Sequence, residues 1–133
     1  EVVPMSDWGV VGYLSAPMGS RFFLDRVKEV FHCQCLMHNE LLSRPIQSVA
    51  ICGGSGDFLL TDAVAQEADA FLTGEMKYHF YMGHEQEIQI AVLGHYESEQ
   101  YTVELLEKIL TDSFAHLPVY KTEVNTNPIH YLI

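Results

Sequence analysis

A chain of 133 residues, 48% of them apolar, is sized for one domain with a real core. Its formal net charge of −11, from 7 Lys and Arg against 18 Asp and Glu, opposes a phosphate backbone, so nucleic acid is not an expected partner. No apolar run approaches the roughly 18–20 residues of a membrane span, and no basic, then apolar leader opens the chain, so neither a membrane nor export is expected.

In chain order, "WGVVGYL" (8–14) predicts a short strand, broken by "APMGS" (16–20). Ser20 is placed to cap a helix over 21–31, where Phe23, Val27, Val30 and Phe31 recur at helical spacing. "QCLM" (34–37) reads as a short strand and "ELLSRP" (40–45) as a connection. "IQSVAICGGSG" (46–56) is a β-rich run delivered into a glycine loop, followed by a helix over 57–68. "AFLTG" (70–74) and "IQIAVLG" (88–94) read as strands, with a helix over 75–87 between them. A long helix over 98–114, a strand over 118–124 and a tail with a final short strand complete the pattern. Alternating strands and helices predict one layered α/β domain, residues 1–133, with a mostly parallel sheet.

Three strands end alike, in Gly53-Gly54-Ser55, Gly74-Glu75 and Gly94-His95. Ligands of open α/β sheets gather at the carboxyl ends of strands. If these strands are neighbours, their polar ends meet in one crevice.

His95 and Glu99 are four apart, on one face of a helix that starts by Tyr96. An imidazole and a carboxylate so placed can grip a divalent cation. The plainer reading makes Glu99 a helix-start acid and His95 a loop residue. Glu75 and His79 have the same spacing, with Lys77 between, and suit proton transfer or support of a metal; from spacing alone a solvated helix face is the simpler reading. "GGSG" (53–56) can cradle a phosphate but lacks the P-loop Lys, and a tight turn is the simpler reading. Cys33, Cys35 and Cys52 are an odd set, poor for disulfides and short of a second pair for zinc. A reducing cytoplasm fits them best. Because the chain opens on Glu1, it is expected to be processed, tagged or cut from a longer protein.

Together "VAICGGSGDFLL", "ADAFLTGEMKYH", "LGHYESEQYTVELL" and "NTNPIHYL" resemble, in order, the C-terminal half of the Nif-three-like proteins. These are dinuclear metal-centre proteins known also as GTP cyclohydrolase I type 2 homologues. "GVVGYLSAPM" with "FLDRVKEVF" is similar to the segment after an inserted domain in longer members. The resemblance implies an α/β fold of two related halves and a ring-like homo-oligomer, commonly a hexamer. It implies two divalent ions (zinc, iron or manganese) in the cleft between the halves. His95 and Glu99 match the ligands that the C-terminal half supplies. The other ligands belong to an N-terminal half, the implied partner, so metal should bind weakly or not at all here. Tyr96 and Glu75 depart from the family's usual histidine and aspartate. Implied function is metal-dependent hydrolysis of a small, nucleotide-like or phosphorylated substrate, with His79, Glu75 or Lys77 assisting catalysis. The rival is a non-enzymatic, metal-binding or regulatory ring. Loss of one half also predicts that Phe80, Tyr81 and Tyr96 are unusually exposed, or are buried by self-association.

Overall fold

The computed structural model describes residues 1–133. Its centre is one six-stranded sheet in the order β1-β2-β4-β5-β6-β3. The strands are β1 (Val2–Ser6), β2 (Gly9–Met18), β3 (Met37–His38), β4 (Ile46–Cys52), β5 (Ala70–Thr73) and β6 (Gln89–Val92). The helices are α1 (Ser20–Phe31), α2 (Leu60–Ala65), α3 (His95–Glu99) and α4 (Thr102–Ser113).

The α/β class is as expected, but the sheet is mixed rather than mostly parallel. Only β4–β5 and β5–β6 are parallel, while β1–β2, β2–β4 and β3–β6 are antiparallel. The two-residue turn Asp7-Trp8 can join only antiparallel strands, because a parallel pair needs a crossover. The three parallel strands are the central ones and nearly continuous in apolar residues, as strands covered on both faces must be.

Alternation along these strands divides the core. Ala50, Cys52, Phe71, Ile90 and Val92 face α2 and the 3₁₀ turn Asp57–Leu59, where Leu59, Leu60 and Ala63 complete one cluster. Val49, Ala70, Leu72, Ala91 and Leu93 face α1, which supplies Phe23, Leu24 and Val27. Period-2 strands and a 3.6-period helix thus meet in three layers.

Several elements differ from the sequence-based expectation. β2 runs on to Met18 through a register irregularity after Tyr13, so the break falls at Gly19. Gly19 occupies the cap position of α1, and the Ser20 hydroxyl instead donates to the Leu42 carbonyl at 2.6 Å. Residues 57–68 form only a 3₁₀ turn and a six-residue helix. The helix expected over 75–87 is reduced to the 3₁₀ turn Tyr78–Tyr81. Lys77 is extended and Gly83 has φ +81°, so neither side can propagate helical bonding. The long C-terminal helix is broken into α3 and α4 around Gln100 and Tyr101. Residues 118–133 form no strand. A β-prone segment becomes a strand only when another strand completes its ladder, and none here does.

Asp69, just before β5, ties the starts of the parallel strands together. Its carboxylate accepts the Gln47 and Ser48 backbone N–H groups, each at 2.9 Å, and pairs with Arg44. Burial alone would raise its pKa, but the bonds from Ser48, Gln47 and Arg44 prevail and hold it below the usual 3.8. A depressed folded pKa contributes stability above the unfolded value, which is lost as pH falls through the folded one. Asp69→Ala should therefore cost about 2 kcal/mol at neutral pH. In urea unfolding, the gap from the parent chain should close only below about pH 4.

Candidate functional site at the carboxyl ends of the parallel strands

The register Cys52↔Thr73↔Val92 aligns the carboxyl ends of β4, β5 and β6. The loops beyond these ends are stitched to one another. The Gly54 carbonyl accepts the Gly74 and Glu75 N–H groups at 2.9 Å each and the Thr73 hydroxyl at 3.1 Å. Thr73 Oγ1 in turn accepts the Gly56 N–H at 2.9 Å. The Gly54 N–H donates to Ser98 Oγ at 2.9 Å, and that hydroxyl donates to the His95 carbonyl at 2.9 Å. The glycine loop therefore spends the Gly54 and Gly56 N–H groups within the protein. This favours the tight-turn reading of "GGSG" over the phosphate cradle.

His95 opens α3 directly after Gly94, whose φ of +106° turns the chain out of β6. Its ring lies between two carboxylates. Nε2 is 3.1 Å from Glu99 Oε2, and Nδ1 is 3.3 Å from Glu75 Oε2. Glu75 also accepts the Ser55 hydroxyl. The bond to Glu75 above all, with the charge of Glu99, raises the His95 pKa above 6.5. Ser55 first, and His95 second, hold the Glu75 carboxyl below its usual range. All three acid and base side chains are about half exposed. Gly54 makes room for the group: at φ +66°, a Cβ there would stand 2.5 Å from Glu99 Oε1 and 3.5 Å from His95 Nε2.

The structure thus joins His95 with both Glu99 and Glu75. It does not join them with His79, which is exposed and stacks on Phe80 at 4.6 Å. Lys77 is exposed, and its backbone N–H donates to Asp57 at 3.4 Å. Neither makes a hydrogen bond or ion pair with His95, Glu75 or Glu99, because the helix meant to align them is absent. Cys33, Cys35 and Cys52 are free thiols. Burial first, then the nearby Glu97, pushes Cys33 up to about 11, which suits an inert core residue. No three His, Cys, Asp or Glu side chains converge on one metal-holding point.

Three participants have no readable spacing: Ser55 on the loop after β4, Thr73 at the end of β5 and Ser98 on α3. A fourth, Glu97, is buried and accepts the Asn127 amide at 3.3 Å. Any Cβ on Gly94 would come 2.2 Å from its Oε2. Glu97 thereby fastens the C-terminal tail beside α3. Between that tail and α3–α4 lies a cavity of about 660 Å³, with His95, Glu99, Lys121 and Asn127 on its walls.

Fold and site together define a three-layer α/β domain with a histidine–carboxylate group at its strand ends. The chain belongs to the family Duf34/NIF3 (NGG1p interacting factor 3), whose model matches residues 4–128. It is 31% identical over 127 residues to the GTP cyclohydrolase 1 type 2 homolog of Staphylococcus epidermidis, covering 92% of this chain and 35% of that protein. The homolog of that name from Deinococcus radiodurans is 32% identical over 120 residues, covering 86% and 45%. Among solved structures, hypothetical protein SA1388 of Staphylococcus aureus superposes with a TM-score of 0.85 at 26% identity, over 93% of this chain and 43% of that one. A Bacillus cereus protein related to NIF3 shares the fold, with a TM-score of 0.75 at 23% identity over 93% and 36%. The chain spans half or less of the length of these relatives. No helix is long and apolar enough to cross a membrane.

Proposed function

We propose that the chain is the C-terminal part of a metal-dependent hydrolase, supplying half of a dinuclear site. The observation that carries this is the setting of His95. Its Nε2 faces the Glu99 carboxylate while its Nδ1 faces Glu75, which is itself held by Ser55. Metal-ligating histidines commonly give their second nitrogen to such a carboxylate, which fixes ring orientation and tautomer. The donor types suit zinc, iron or manganese. His95 and Glu99 would be the ligands and Glu75 the orienting carboxylate. Bound divalent ions would polarise a substrate oxygen and lower the pKa of a water.

Two ligands leave a zinc site short, since three or four protein donors are usual. The rest are assigned to an N-terminal half of the same protein. The cavity beside His95 and Glu99 is large enough for a small, nucleotide-like or phosphorylated substrate. His79 and Lys77 would assist only if substrate or the other half drew them in. The test is turnover of a nucleotide and phosphate-ester panel by the metal-loaded full-length protein. Activity above a His95→Ala control supports the hydrolase; equal rates for both overturn it.

A second reading, a non-enzymatic metal-holding or regulatory ring, draws on the surface. α4 has no buried residue, and its Val103, Leu106, Ile109 and Leu110 lie exposed. Such a face favours an oligomer or contact with the absent half. The aromatic residues expected to be bare are not: Phe80, Tyr81 and Tyr96 are half-buried, the first two against the core.

A further inference from the structure

α3 carries His95 and Glu99, yet the one residue it buries is a carboxylate, Glu97. Two positions from each of the pair, Glu97 projects from the opposite side of the helix. Burying a charged group is costly unless hydrogen bonds compensate it, so an apolar residue would be the ordinary choice here.

The compensation comes from the C-terminal tail. Asn127 Nδ2 donates to Glu97 Oε1 at 3.3 Å. Glu97 Oε2 and the Tyr131 hydroxyl both lie within 3.0 Å of the place a Cβ on Gly94 would occupy, so the bare backbone of that glycine admits them.

Little else holds the tail. No backbone–backbone hydrogen bond joins residues 118–133 to the rest of the chain. From Tyr120 to the end, every residue is exposed except Asn127 and Tyr131, the two beside Glu97. Lys121 pairs with Glu107 at 3.2 Å, but surface pairs of this kind contribute little. The same tail, from Lys121 to Ile129, supplies one wall of the cavity that His95 and Glu99 also line.

We propose that Glu97 is the positioning residue of this site: by clasping Asn127 it holds the tail as the cavity's wall and fixes the face of α3 that presents His95 and Glu99. These contacts are all made within the chain, so none requires a free surface. That the positioned pair holds metal rests on the hydrolase reading; the clasp does not.

The clasp can be broken and remade by exchanging its groups. Asn127→Asp sets two carboxylates together but keeps the oxygen that accepts the Ile129 N–H at 3.1 Å. In this chain, free of metal, backbone nitrogen relaxation by NMR should show order parameters over 124–131 falling from about 0.8 to below about 0.6. The ring nitrogen signals of His95 should move toward those of the exposed His116, while the signals of β5 stay in place and report an intact fold. Adding Glu97→Gln to Asn127→Asp restores one donor and one acceptor, and should return both readings to the parent values. A tail that stays ordered in Asn127→Asp overturns the clasp, and so does a double variant as loose as the single one. A released tail with unmoved His95 signals overturns the positioning role. In the full-length protein, zinc affinity should fall about tenfold in Asn127→Asp and recover in the double variant. Zinc binding indifferent to His95→Ala would sink the metal reading alone, and the metal-free signals would still decide the clasp.

Discussion

Replacing His95 by alanine in the full-length protein should weaken divalent-metal binding more than about 100-fold, because losing a ligand exceeds the 10–100-fold typical of supporting residues. Glu99→Ala should act alike. Glu75→Gln should cost less, about tenfold, since it disturbs only the orientation of the ring. With metal removed, none of the three should alter thermal unfolding by more than a degree or two. The side chains are half exposed, and such surface changes usually stay within about 0.5 kcal/mol. The isolated chain should bind the same ions weakly, because two ligands leave most coordination positions to water. Titration calorimetry of both forms reads the difference. Tight zinc binding that survives His95→Ala would move the ligands elsewhere.

The largest effect on stability should come from Phe71→Ala. Phe71 is fully buried in the middle of β5, in the cluster with Ile90, Leu60 and Ala63. Neighbours on both parallel ladders prevent the strand from collapsing into the void. The expected cost is about 3–5 kcal/mol, comparable to the whole stability of many small domains. Urea unfolding should show a much lower midpoint, or a chain unfolded without denaturant. By contrast Phe22→Ala, on the exposed face of α1, should change little.

How far the sequence revealed this molecule depended on whether the pattern was local. β4, β5 and β6 were legible because short apolar runs ending in glycine are self-contained signals. α1 was legible from Phe23 and Val27, though Val30, on the same apparent stripe, is exposed. Segment 75–87 misled because helical propensity says nothing about Glu75 being engaged by Ser55 and His95. Pairing direction was not legible either: β2 runs antiparallel to β4 even though α1 lies between them in the chain. The 118–124 run has strand composition, but it forms no strand, because composition alone supplies no neighbouring ladder.

The same distinction holds at the site. His95 and Glu99 are four apart, so helix geometry alone brought them within 3.1 Å. Glu75 shares helical spacing with His79, but it meets His95 from the neighbouring strand instead. Spacing does not mark the roles of Ser98 and Thr73, which bond a glycine loop far from both along the chain. Nothing in the spacing of Glu97 marks it as buried; the close approach of Gly94 and the tail does that. Contacts of this kind depend on how strands are ordered, which residue spacing does not encode.

If His95 and Glu99 hold a divalent ion with Glu75 behind the ring, the ion itself can be located. Anomalous scattering from crystals of the full-length protein soaked in zinc measures this most directly. The expected result is a peak about 2.1 Å from both His95 Nε2 and a Glu99 carboxylate oxygen, with His95 Nδ1 still facing Glu75. A well-occupied peak bound by other residues, with His95 and Glu99 left unligated, would contradict it.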